Sequence, residues 1–196
     1  MSRGGGNVAE RIAEIVILAE DLNQSTFARR FLERKGHHGR TVRVRPFPQG
    51  RGSGEQYVRE HYPEEVRHYR HRSSRRKAAL VVLIDADLKI VVHREGELEA
   101  ALANAGEHRR ESSEAIVLLI PKRPIETWIL SLLGERVDEA TDYRSRRDVP
   151  EKIRPAAQKF YEWGRPDYQL PDHCVDSLRR GLVEVRRIRE PRSGGS

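Results

Sequence analysis

Three apolar runs in this sequence each lead into acid. Ile15 to Ala19 ends in Glu20-Asp21, and Ala78 to Ile84 ends in Asp85-Ala86-Asp87. Ala115 to Ile120 is followed by Pro121-Lys122-Arg123-Pro124 and then Glu126. If the runs are parallel strands, the residues that follow them converge, because ligands of open parallel sheets bind outside the carboxyl ends of the strands. Converging carboxylates repel one another unless a cation lies among them. Hard oxygen donors of this kind select Mg²⁺ or Mn²⁺, which keep several waters and take one or two carboxylates each. Asp85 and Asp87 are two residues apart, so in an extended segment both side chains face the same way. Glu20, Asp85 and Asp87 are therefore the expected metal ligands. Glu126 has two readings, a second catalytic acid or a first-turn acid that opposes the helix dipole. Lys122 and Arg123 leave a strand at the same edge and also have two, stabilising charge on a transferring phosphoryl group or plain surface charge.

The charge balance fits a polyanionic partner. Lys and Arg number 37 against 30 Asp and Glu, a formal net charge of +7. Arg67, Arg70, Arg72, Arg75, Arg76 and Lys77 crowd, with His68 and His71, just ahead of the run that begins at Ala78. Such a cluster is either a solvated face or a set of phosphate contacts, and phosphate contacts need no base readout. Arg51, within Gly50-Arg51-Gly52-Ser53-Gly54, is a further candidate for the backbone of a nucleic acid. That stretch lacks the Gly-Lys-Ser/Thr ending of a P-loop. The single cysteine, Cys174, excludes an intramolecular disulfide framework and a multi-thiolate zinc site, and it suits a reducing compartment. His37-His38 reads as a turn, since nothing is spaced to complete a zinc site. No apolar run approaches bilayer length and no apolar signal follows Met1, so a cytoplasmic protein without a membrane partner is expected.

The elements that must position these residues alternate. Ile15 to Ala19 reads as a strand, and Phe27, Phe31 and Leu32 then recur at helical spacing until Gly36. Thr41 to Phe47 alternates with β-branched residues, as an edge strand does. Tyr57, Val58, Tyr62, Val66 and Tyr69 line one helical face over 55–72, with Pro63 expected to begin a second helical segment. Ala78 to Ile84 and Ala115 to Ile120 are apolar without alternation, the mark of strands buried on both faces. A helix over 95–105 lies between them, and Ile125, Trp128, Ile129, Leu132 and Leu133 make a further apolar helical face. The fold class is α/β, a mainly parallel sheet flanked by helices. Helices over 150–163 and 175–188 form a C-terminal helical tail. The expected organisation is a flexible terminus over 1–10, an α/β domain over 11–134, a helical extension over 135–190 and a flexible tail over 191–196.

The order Ile-Val-Ile-Leu-Ala-Glu20, a long insertion, then Leu-Val-Val-Leu-Ile-Asp85-Ala-Asp87 resembles the Toprim domain shared by topoisomerases, primases and OLD-type nucleases. The stretch from Ile120 through Pro121, Lys122, Arg123, Pro124, Ile125, Glu126 and Thr127 to Trp128 looks like the proline-and-acid helix start of small stand-alone Toprim-like proteins. The resemblance covers roughly residues 12 to 133 and departs in placing Asp21, not glycine, after Glu20. It implies a Rossmann-like sheet, Glu20 as general acid/base or metal ligand, and Asp85 with Asp87 holding Mg²⁺ or Mn²⁺. The expected activity is that of a metal-dependent nuclease on DNA or RNA, and some relatives sit beside an ATPase in prokaryotic defence systems. The alternatives are a non-catalytic Toprim-shaped assembly subunit and, less favoured by the basic charge, a nucleotide-sugar transferase.

Overall fold

In a computed structural model, which describes residues 12–47, 53–87 and 89–189, four strands form one sheet in the order β2-β1-β3-β4. The strands are β1 (Glu14–Leu18), β2 (Val42–Val44), β3 (Ala78–Leu83) and β4 (Ile116–Leu119), and every pairing is parallel. The α/β sheet expected from the sequence is thus present. The helices are α1 (Leu22–Arg34), α2 (Gly54–Ser73), α3 (Val91–Asn104), α4 (Glu126–Leu132), α5 (Val149–Trp163) and α6 (Asp176–Glu184).

Strand side chains alternate between two cores, as the pleat requires. Ile15, Ile17, Val81, Leu83, Val117 and Leu119 face α1, α4, α5 and α6, where Phe27, Phe31, Trp128, Phe160 and Leu178 complete the packing. Val16, Leu18, Leu80, Val82, Ile116 and Leu118 face α2 and α3, against Val58, Tyr62, Val66, Leu98 and Leu102. With both faces covered, the strands carry no polar alternation, which is why β1, β3 and β4 read as continuous apolar runs. The C-terminal helices belong to the first core. At Gly181 α6 passes so close to Trp128 that an added Cβ would stand 2.4 Å from the ring, while the Trp128 indole N–H donates to Ser177 Oγ at 2.7 Å.

Pro63 does not start a new segment. It lies inside a continuous α2, buried with Val58, Tyr62, Val66 and Tyr69. The one hydrogen bond that proline removes is outweighed by packing of that whole face on the sheet. On the outer side of β4, Arg110 and Glu184 pair with each other. Arg110 Nη1–H donates to Ile116 O at 2.8 Å, and Leu118 N–H donates to Glu184 Oε2 at 3.2 Å.

Candidate carboxylate site at the sheet edge

From β1 the chain moves outward through α1 to β2, then returns through α2 across the other face to β3. The order of strands therefore reverses between β1 and β3, and the crevice at their carboxyl ends is where ligands of doubly wound sheets bind. Glu20 follows β1 and Asp85 follows β3, so the topology brings both to that point.

Their contacts are direct. Asp85 N–H donates to Glu20 Oε1 at 2.7 Å. Gln24, fully buried in the first turn of α1, joins the two acids: its Oε1 accepts Glu20 N–H at 3.0 Å and its Nε2–H donates to Asp85 Oδ1 at 2.8 Å. Asp21 is the N-cap of α1, its Oδ1 accepting Gln24 N–H at 2.8 Å, which gives the residue after Glu20 a structural task. Gly54, the first residue of α2, abuts Glu20, and a Cβ there would stand 2.8 Å from that of Glu20. Asp87 adopts φ 54°, in the left-handed region that aspartate tolerates better than most residues. Its carboxylate is half-exposed and lies 3.6 Å from Arg94 Nη2.

The electrostatics mark Glu20 and Asp85 apart from the other described acids. Burial pushes Glu20 up to about 8; the Asp85 N–H opposes this, the charges of Asp87 and Asp21 add to it, and Arg94 offsets a little. Asp85 is raised well above the ordinary aspartate range, by burial first and then by Glu20, Asp21, Asp87 and Glu126. Among the described residues neither Glu20 nor Asp85 makes an ion pair. Two neighbouring carboxyl groups offer hard oxygen donors of the kind a divalent cation takes one or two at a time. Among the described residues, no three His, Cys, Asp or Glu side chains are gathered as they would be around a metal. Asp87, the third expected ligand, stands beside Arg94.

Glu126, buried at the start of α4, accepts from Asn23 Nδ2–H at 3.0 Å and adds its field to Asp85, so it borders the pair without joining it. The exit from β4 is tied to the same turn, because Ala86 N–H donates to Pro121 O at 2.7 Å. Lys122 is half-buried in that exit, and Arg123 donates to Ala140 O, fastening the segment between α4 and α5. Arg144 on that segment is held by Asp142 at 3.0 Å and also feels the charges of Asp85 and Asp87. One cleft of about 680 Å³, lined by Arg136, Val137, Pro171, Asp172 and His173, holds none of these acids.

The arginine cluster lies elsewhere. Lys77 immediately precedes β3 and Asp85 closely follows it, so the two mark opposite edges of the sheet, roughly 26 Å apart at about 3.3 Å per residue. Arg67 and Arg70 are committed to Glu107 at 2.8 and 2.9 Å, and Arg70 also binds Glu114 at 2.7 Å. Arg76 at 2.9 Å, Arg43 at 3.1 Å and Arg72 at 3.6 Å surround Glu14, while Arg75 and Lys77 are exposed beside them. Arg51 falls outside the described residues, as do 1–10 and 191–196. Cys174 is buried, its thiol pushed up to about 11 by that burial, which suits packing and not nucleophilic attack.

Gln24, Asn23, Arg94 and Arg144 are the members that the sequence reading missed. Arg94 left a signal: it shares a helical face with Leu98 and Leu102, four and eight residues on, and a charge on an apolar stripe needs a buried partner. Beginning that helix at 95 hid it. The chain matches no protein-family profile, no curated protein and no solved structure.

Proposed function

We propose that the β1–β3 edge is a divalent-metal site for hydrolysis of phosphodiester bonds in DNA or RNA. What supports it is the placement of Glu20, half-buried, and Asp85, buried, side by side at the switch point of a parallel sheet, with no ion-pair partner for either among the described residues. The Toprim resemblance of the same residues points the same way. Bound there, Mg²⁺ or Mn²⁺ would activate water and offset charge on the leaving oxygen. Asp85 and Glu20 are the side chains placed to hold it. Glu20 has a second task open to it, since Oε1 is fixed by the Asp85 N–H while the other oxygen is left to hold or move a proton. Gln24 orients both acids, and Arg144 with Lys122 supplies positive charge to steady a phosphate at this edge. Arg75, Lys77, Arg76 and Arg43 offer a second, sequence-independent contact to a nucleic-acid backbone. An ATPase partner remains part of the proposal by resemblance alone.

One observation favours a second reading. Asp87 is engaged with Arg94, which is what a non-catalytic, assembly-type relative would show. Both are decided by incubating plasmid, linear duplex and single-stranded nucleic acid with Mg²⁺, Mn²⁺ or EDTA, for the native chain and Asp85→Asn. Metal-dependent cleavage lost in the variant establishes the nuclease. Mn²⁺ binding without cleavage of any substrate favours the assembly subunit, and no Mn²⁺ binding removes the metal site.

A further inference from the structure

We infer that Arg94 is the positioning residue of this site, the group that holds the Asp85–Asp87 turn and the start of α2 in register with Glu20; the inference rests on the metal-site proposal above. Arg94 is 1% exposed, among the largest fully buried side chains of the described residues. Its Nε–H donates to the Asp85 carbonyl oxygen at 2.9 Å, fixing the backbone from which the Asp85 carboxylate projects. Nη2 stands 3.6 Å from Asp87 Oδ2, across the one left-handed non-glycine residue of the described chain. Nη1 donates to Glu97 Oε2 at 2.6 Å and to Glu55. Glu55 adjoins Gly54, the residue that packs against Glu20. One planar fork thus reaches the β3 turn, α3 and the start of α2, and through them both carboxylates.

A lysine cannot make these contacts. Its ammonium is a compact point charge, whereas the guanidinium presents donors in several fixed directions. Arg94→Lys therefore keeps the charge and removes the fork, which separates positioning from electrostatics. Arg94→Gln removes the charge as well. If Arg94 were only a cation near the site, its field would oppose a bound divalent ion. The lysine variant would then bind like the native chain, and the glutamine variant more tightly.

The test is calorimetric titration of Mn²⁺ into the full-length native chain, Arg94→Lys, Arg94→Gln and Arg110→Lys. Melting temperature and near-UV circular dichroism are recorded for each. Arg110 is the control, a networked arginine on the outer side of β4 whose replacement perturbs packing away from the acids. Loss of a group that orients metal ligands typically costs 10- to 100-fold in affinity. We expect Arg94→Lys to lose affinity in that range with its near-UV spectrum kept, Arg94→Gln to bind no better than native, and Arg110→Lys to bind as native does. Native affinity in Arg94→Lys, or tighter binding in Arg94→Gln, overturns the positioning role. An equal loss in Arg110→Lys overturns it too, since the effect would then follow stability. A native chain that takes up no Mn²⁺ removes the metal site and this inference together, an outcome distinct from native binding that the Arg94 variants leave unchanged.

Discussion

Glu14 and Glu20 stand at opposite ends of the same strand. Glu14, buried where β1 begins, has Arg43 at 3.1 Å, Arg76 at 2.9 Å and Arg72 at 3.6 Å about its two oxygens. Glu20, just past where β1 ends, accepts a backbone N–H and sits beside Asp85, Asp21 and Asp87. Arg94, whose charge offsets a little of the shift at Glu20, spends its fork on Asp85 O, Glu55 and Glu97. Glu107 shows the ordinary outcome elsewhere, held below the usual glutamate range by its bonds to Arg67 and Arg70. The chain is rich in arginine, yet among the described residues neither Glu20 nor Asp85 has an ion-pair partner, and burial raises both above the ordinary carboxyl range. Perturbed carboxyl groups of this kind cluster at functional sites, and the metal-site proposal draws on that.

The contrast breaks first at Glu20. Glu20→Gln should cost about 10²- to 10⁴-fold in cleavage rate if the residue moves a proton. Glu126→Gln, whose carboxylate accepts from Asn23, should cost less than about tenfold, since a first-turn acid has a dipole role to fall back on. Comparable losses in single-turnover assays would show that Glu126 belongs to the reacting set.

Stability should separate the two ends of β1 by sign. Glu20 titrates near 8 in the folded chain against an ordinary value of 4.5, so folding favours its protonated form. Its contribution is complete below about 4.5 and is lost as pH rises toward 8, at ~1.4 kcal/mol per pKa step. Melting curves without metal should therefore fall between pH 5 and pH 8.5. Glu20→Gln should flatten part of that fall and melt higher than native at pH 8.5. Glu14→Gln should lose roughly 1 to 3 kcal/mol in urea denaturation at pH 7, because it strips arginines of a charged acceptor. Two losses of stability, or two gains, would remove the distinction drawn between the edges.

The smallest effect concerns the exposed cations beside Glu14. If Arg75 and Lys77 meet phosphates, replacing both by glutamine should reduce the slope of log affinity against log salt on duplex DNA by about 0.9 per contact. An unchanged slope would leave them as solvated charge.

Much of the scaffold was legible because burial on two faces writes itself as uninterrupted apolar sequence: Ala78 to Ile84 and Ala115 to Ile120 both form strands covered on both faces, although the second, expected as an inner strand, is the border strand β4. Glu20 and Asp85 followed from strand ends alone. Pro63 misled because local propensity was read without the sheet that packs the Tyr62 and Val66 face. At Asp87 the alternation argument does not carry, because it holds only while a segment stays extended and the chain turns left-handed there. The arginine cluster could have been placed better from sequence: residues just before a parallel strand lie at the edge opposite those just after it. Gln24 gave no warning, for a buried amide that bridges two carboxylates looks like any polar helix residue.

The pair formed by Arg110 and Glu184 has an effect beyond its own contacts. A border strand normally offers free carbonyls and amides to any passing extended chain, the first step in sheet-to-sheet aggregation and in swapped dimers. On β4 the Ile116 carbonyl and the Leu118 amide are already taken, by side chains that imitate the next strand without continuing it. At those two positions the margin of the sheet is closed to an incoming strand by a side chain from the loop before β4 and one from the end of α6.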